Sequence, residues 1–190
     1  MPTSPVAAVG VLSDTHVPDL QKALPARAFD ILSAQQVEVI LHAGDICSPR
    51  LLRELGRVAP VYAVRGNRDV FWPRNWTLPT RRIIEVGAIR VGLTHGHPPF
   101  LRYAAQRLLE VVSRPPPRPG IDPRSLRPFP ADVRVVVYGH DHVPNVQWID
   151  STLYLNPGTA SPAFATDQGS TLAILRVDET DVSAEIVSLE

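Results

Sequence analysis

Short apolar runs recur along the chain, and four of them lead into a glycine or serine followed by a polar residue. Val6–Leu12 runs into Ser13-Asp14, Val37–Leu41 into Gly44-Asp45, Val61–Val64 into Gly66-Asn67, and Val133–Tyr138 into Gly139-His140. Short β-branched runs bounded by turn residues predict buried strands. Arg82–Val86 and Ile89–Thr94 flank Gly87-Ala88 and predict a hairpin. Val143–Ile149, Thr152–Leu155, Thr171–Val177 and Val182–Leu189 predict further, antiparallel strands. Apolar spacing at Leu24, Ala28, Ile31 and Leu32 predicts a helix over Leu24–Leu32, with Pro25 in its first turn. Leu51–Leu55 predicts a short helix capped by Ser48 with Pro49 at its first position, and Leu101–Val112 an amphipathic one. Seven prolines between residues 115 and 130 exclude regular helix or central strand there. Early strand–helix alternation followed by a mostly extended end predicts a layered α/β fold on a mixed sheet core. The 190 residues suit one domain, with a Pro-rich loop at about 114–130.

The polar residues fall where such a fold does chemistry. Asp14 and His16 follow the first strand, Asp45 the second and Asn67 the third. His95 follows the hairpin, and His140 and His142 follow a later strand. Ligands of open α/β sheets bind beyond the carboxyl ends of the strands. Asp14-Thr15-His16 and His140-Asp141-His142 are i, i+2 pairs, whose members point to one side in extended backbone. Four imidazoles, two carboxylates and one amide exceed what one tetrahedral site needs. Two metals sharing one carboxylate would use them all. Mixed nitrogen and oxygen ligation suits Mn²⁺, Fe or Zn²⁺ better than Mg²⁺ or Ca²⁺ alone.

Composition narrows the partners. Cys47 is the only cysteine, which excludes an intrachain disulfide and fits a reducing, cytoplasmic setting. The N-terminus lacks the features of a signal peptide, and no apolar run is long enough to span a membrane. Net charge is zero, yet residues 50–134 carry 16 Arg against 6 acids. A basic middle favours small anionic partners, phosphate esters or nucleotide-like molecules. Aromatic content of 6% and the lack of a base-reading motif argue against nucleic acid. Arg114, Arg118, Arg124 and Arg127 make the Pro-rich stretch a candidate basic rim. A disordered excursion and a subunit contact in a homo-oligomer are the competing readings.

The series Asp14-x-His16, Gly44-Asp45, Gly66-Asn67-Arg68-Asp69, His95-Gly96 and Gly139-His140-Asp141-His142 resembles the calcineurin-like metallophosphoesterase signature. Within that superfamily the chain is similar to the small YfcE-type, Vps29-related phosphodiesterases, and Leu155–Pro162 also fits that group. The resemblance implies a four-layer α-β-β-α sandwich of two mixed sheets. It implies hydrolysis of phosphate esters by a metal-activated water at a binuclear site. It implies one metal on Asp14, His16, Asp45 and His142 and a second on Asp45, Asn67, His95 and His140, with Asp45 bridging. The metal expected is Mn²⁺, with Ni²⁺, Fe²⁺, Zn²⁺ or Mg²⁺ as alternatives. Many superfamily members carry Gly-Asn-His at the third motif, where this chain has Arg68. Arg68 is then a candidate for binding phosphate charge, but its pKa is too high for it to donate a proton. His97 is a candidate acid, against a plain supporting role. His42 and Asp69 are expected to support the site, Asp141 to face away from it, and Asn156-Pro157-Gly158 to form a supporting turn. The alternative the family offers is a Vps29-like, non-catalytic interaction scaffold.

Overall fold

The computed structural model describes residues 7–97, 120–164, 167, 169–179 and 181–190. Strands β1 (Ala7–Leu12), β2 (Val39–His42), β3 (Val61–Ala63), β9 (Thr171–Val177) and β10 (Val182–Ser188) form one sheet in the order β10-β9-β1-β2-β3. Strands β4 (Arg81–Val86), β5 (Ile89–Thr94), β6 (Val133–Val137), β7 (Asn145–Ile149) and β8 (Thr152–Asn156) form the other, in the order β4-β5-β6-β8-β7. Both sheets are mixed. β1, β2 and β3 run parallel while β9 and β10 are antiparallel; β5, β6 and β8 run parallel between the antiparallel edges β4 and β7.

Alternation along each strand places the layers. Val9 and Val11 of β1 meet Val91, Leu93, Val135, Val137, Leu153 and Leu155 in the core between the sheets. Ala8 and Leu12 point the other way, into a second core with Ala28 and Leu32 of α1 (Ala26–Ala34) and Leu51 and Leu55 of α2 (Pro49–Leu55). On the outer face of the second sheet, Val136 and Tyr138 pack against Leu126 and Phe129. This is the expected sandwich of two mixed sheets. Among the described residues no helix is long and apolar enough to cross a membrane.

Several local expectations change. Pro25 is the N-cap of α1 rather than part of its first turn, with ψ of 135°. Lacking an N–H, it serves well where no intrahelical bond would be made. Ser48 caps α2 as expected, its side chain accepting from the Arg50 N–H, and Pro49 follows. β7 starts at Asn145, not Val143, because Pro144 cannot join the ladder. β8 is not purely antiparallel: it pairs parallel with β6 on its other side. The helix over Leu101–Val112 and residues 114–119 of the Pro-rich stretch lie outside the described residues. The rest of that stretch, with a single helical turn at Pro123–Ser125, lies against the outer face of the second sheet. Arg81 there donates to the carbonyls of Arg127 and Pro128 and stacks over Phe129.

Candidate metal centre

All the singled-out residues follow strand ends. Leu12 of β1 pairs with His42 of β2, so the loops beyond them leave the sheet side by side. Those loops then lock together: the Asp14 N–H donates to Gly44 O and the His16 N–H to Asp45 O, both at 3.0 Å. The backbone here is not extended. φ is +51° at Asp14, +50° at His16, +55° at Asp45, +81° at His140 and +64° at His142. A non-glycine residue held there costs on the order of 1–2 kcal/mol. The i, i+2 pairs converge through left-handed turns, which corrects the extended-backbone argument for them. Thr15, between the pair, turns to His42, its Oγ1 lying 3.1 Å from Nε2.

Asp14 is fully buried. Its Oδ2 accepts from Ser13 Oγ at 2.5 Å and from the His140 N–H at 2.9 Å. Its Oδ1 is buried with no aligned donor. Facing that atom are His142 Nε2 at 3.2 Å, His16 Nε2 at 3.9 Å and His95 Nε2 at 4.0 Å. Asp45 Oδ1 accepts from the Arg68 N–H at 2.7 Å and lies 3.5 Å from His95 Nε2. His95 Nδ1 is 2.8 Å from the Ala43 carbonyl and so donates to it, which turns Nε2 toward the carboxylates. Asn67 Oδ1 lies 2.9 Å from both His95 Nε2 and His140 Nδ1. Two groups could each hold an ion, Asp14 with His16 and His142, and Asp14 with Asp45 and His95, with ligand atoms inside 4.8 Å. All seven sequence-predicted ligands are thus brought into one connected cluster.

Burial alone would raise the pKa of Asp14, but the imidazoles around it, His95 foremost, hold it far below the ordinary carboxylate range. Asp45 follows the same logic: burial raises it, and His95 overrules burial and lowers it. Burial pulls His95 down, yet Asp45 and Asp14 drive its pKa up to about 10. Two buried carboxylates therefore demand a cation between them. In the absence of metal the proton on His95 plays that part. Burial and the neighbouring His95 push His140 down to about 3, and burial lowers His16 against the pull of Asp14. Neutral imidazoles and ionised carboxylates are the forms that ligate divalent metals. The donor set therefore fits such ions.

The support is dense. Asp69, fully buried, accepts from the Ile46 and Cys47 N–H groups and Asn75 Nδ2 on Oδ1, and from the Gly66 N–H on Oδ2. It thereby fixes the chain just after Asp45 and just before Asn67. His42 accepts the Gly44 N–H on Nδ1, so it donates to Thr15 from Nε2; burial lowers its pKa to about 3. Asp141 faces away from the centre, toward the N–H groups of Ile121 and Val143 and the Asn156 side chain. A Cβ at Gly66 would strike Asp45 Oδ1, and one at Gly139 would strike Ser13 Oγ. Sequence reasoning missed Ser13, Thr159 and Gln21. Thr159 donates to Asp14 O, while Gln21 Nε2 donates to Thr15 O and Ala160 O. Ser13 was legible as the hydroxyl adjoining Asp14; Gln21 left no local signal. Cys47 is buried, and burial raises its thiol pKa, which suits a packed residue rather than a nucleophile.

Arg68 and His97 flank the cluster differently. Arg68 Nε lies 3.5 Å from Asp19 Oδ2, and its firmest contact with the centre is its backbone N–H. The His97 ring is 5.3 Å from that of His95 and 6.1 Å from that of His140. Burial, then the charge of His95, lowers its pKa to about 4.

Two mixed sheets packed face to face, with carboxylates and imidazoles gathered beyond the strand ends, define a metallohydrolase-type layered sandwich. Residues 8–180 match the calcineurin-like phosphoesterase superfamily domain, and the chain belongs to that superfamily. It is 35% identical over 183 residues to a probable metallophosphoesterase of Methanothermobacter thermautotrophicus, spanning 94% of this chain and 91% of that one. In fold it is similar to vacuolar protein sorting 29 from Cryptosporidium parvum, with a TM-score of 0.66 at 20% identity over 96% of this chain and 98% of that one. It is also similar to a predicted phosphoesterase from Streptococcus pneumoniae, with a TM-score of 0.65 at 21% identity over 97% and 91%.

Proposed function

We propose that this chain is a phosphoesterase that hydrolyses small phosphate esters, diesters or monoesters, at a binuclear divalent-metal centre. The observation that carries this is Asp14 Oδ1, a buried carboxylate oxygen with no aligned donor and three imidazole Nε2 atoms facing it. Asp14, His16, Asp45 and His142 would hold one ion and Asp45, Asn67, His95 and His140 the other, with Asp45 common to both sets. Mn²⁺ is the ion we expect, with Ni²⁺, Fe²⁺, Zn²⁺ and Mg²⁺ as competitors. Ions bound there supply Lewis acidity toward a water and the phosphoryl oxygens. Among the protein groups, Arg68 offers charge to a phosphate oxygen. His97, neutral near pH 7, accepts a proton more readily than it gives one. Esters with good leaving groups are therefore the better substrates. The setting we infer is cytoplasmic, on the single buried thiol, and the partner is a small ester rather than a nucleic-acid polymer or a membrane.

A scaffold reading has one observation in its favour. Val146 and Trp148 are exposed on the edge strand β7 and could meet a protein. A panel of phosphate esters assayed after chelation and reloading with Mn²⁺, Ni²⁺, Mg²⁺ or Zn²⁺ separates the readings. Metal-restored turnover supports the enzyme; retained metal without turnover on any ester supports the scaffold.

A further inference from the structure

The segment that follows Asn67 carries exposed aromatic surface that neither the core nor the metal cluster uses. Phe71 is 77% exposed and Trp76 57% exposed, in a chain whose large apolar side chains are mostly buried. The segment is not loose. The Trp76 indole N–H donates to Val70 O at 2.8 Å, Arg65 reaches Trp76 O, and Asn75 is tied to Asp69. Asp69 is the same carboxylate that fixes the chain around Asp45 and Gly66. The aromatic surface and the candidate ligands are therefore bolted to one buried group. Arg68–Phe71 is a single 3-10 turn. A rise of about 2 Å per residue puts the Phe71 Cα roughly 8 Å from that of Asn67. That separation is one a single nucleoside can span.

The charge of the segment points the same way. Residues 65–76 hold three arginines and their one acid, Asp69, is buried; Arg68 faces Asp19 at 3.5 Å, which leaves Arg65 and Arg74 as the surplus positive charge. The Arg68 N–H donates to Asp45 Oδ1 at 2.7 Å, so the segment leads straight out of the centre. A surface that is cationic and aromatic at once suits a ligand that is anionic and aromatic at once. Base–aromatic stacking tolerates any base, because each has a π-face.

We propose that residues 65–76 form a specificity rim, in which Phe71 and Trp76 stack the base of a nucleoside phosphodiester whose phosphate lies at the metal centre. The preferred substrate class is then nucleoside phosphodiesters of mononucleotide size. This rests on the phosphoesterase reading above, and the test keeps the two apart. Manganese-reloaded protein is assayed on two diesters with the same leaving group, a nucleoside para-nitrophenyl phosphate and methyl para-nitrophenyl phosphate. In parallel, binding of a nucleoside monophosphate is followed by tryptophan fluorescence, since Trp72 and Trp76 lie in the segment.

Phe71→Ala should lower the ratio of kcat/KM for the nucleoside over the methyl ester about fivefold or more, the lower end of a base–aromatic stack. The change should lie mainly in KM. The fluorescence-detected affinity should weaken by a similar factor, and Phe71→Trp should restore both. Trp148→Ala, an exposed aromatic on β7, should leave the ratio at the wild-type value. If both esters are hydrolysed and Phe71→Ala does not move the ratio, the rim is overturned while the phosphoesterase stands. If neither ester is hydrolysed, the phosphoesterase reading fails, and the fluorescence arm alone decides the rim: insensitivity to Phe71→Ala overturns it. A change in sedimentation with an unchanged ratio would make the patch a subunit contact. Tighter binding of a single-stranded oligonucleotide than of the mononucleotide would overturn the mononucleotide-sized ligand.

Discussion

Asp14, His16 and His142 meet where two loops lock together and leave His142 partly open to solvent, whereas Asp45 and Asn67 sit beside the buried Asp69 and His95 is tied to the Ala43 carbonyl. The His142 side chain keeps 19% of its exposure, while that of His95 keeps none. Asp14 is steadied by Ser13 and Thr159; Asp45 and Asn67 sit on the network that Asp69 holds together. The difference teaches that the two halves should not load alike. The half braced by Asp69 and the Ala43 carbonyl is prebuilt and should bind first and hold tightly. The half with the partly exposed His142 is where an ion and a substrate should exchange.

The sharpest way to break this comparison is to remove the group assigned to both halves. Asp45→Asn should lower kcat/KM by ~10³-fold or more, the loss of several kcal/mol of transition-state stabilisation. Circular dichroism should stay native, and activity within about tenfold of wild type would remove Asp45 from the centre. The next effect tests the support of the half braced by Asp69. Asp69→Ala would orphan the Ile46, Cys47 and Gly66 N–H groups, at about 1–3 kcal/mol each. A loss of about 3 kcal/mol or more in urea unfolding is expected, with weaker metal retention. An equivalent loss from Ser13→Ala would erase the contrast between the halves.

A smaller effect comes from protons. In the metal-free protein the His95 pKa stands near 10, so at neutral pH a metal must displace a proton from Nε2. That proton is bound below pH 10 and leaves above it, so metal affinity should rise with pH across the neutral range. One displaced proton corresponds to about tenfold in Kd per pH unit. Calorimetric titrations in buffers of different ionisation enthalpy would detect it. A Kd flat in pH would mean that His95 is not the proton-bearing ligand. The smallest effect is on selectivity among leaving groups. With His97 near pKa 4 and Arg68 unable to donate, rates should fall as the leaving-group pKa rises. A flat dependence would show that a protein acid assists.

The ligand positions were legible because each follows an apolar run, and strands announce themselves by composition. The register of the final strands was not. β9 and β10 join the sheet of β1 and β7 and β8 join that of β6, a choice made by packing between layers rather than by local pattern. Backbone hand was also hidden, since nothing in Asp-Thr-His or His-Asp-His reports a positive φ at both ends. Asp69 could be suspected of a supporting role, but its four hydrogen bonds depend on four separate positions brought together by the fold. Phe71 and Trp76 read as ordinary aromatics until their exposure is seen.

The central claim is that this cluster is a working binuclear centre with unequal halves, and metal titration of chelated protein tests it most directly. Mn²⁺ added in steps, with bound metal measured by elemental analysis and phosphodiester turnover read at each step, should give two equivalents per chain. The first should bind with little activity and the second should bring turnover. His142→Ala should keep the first equivalent and lose the second. Retention of no metal at saturating Mn²⁺, or full activity with one equivalent, would contradict the account.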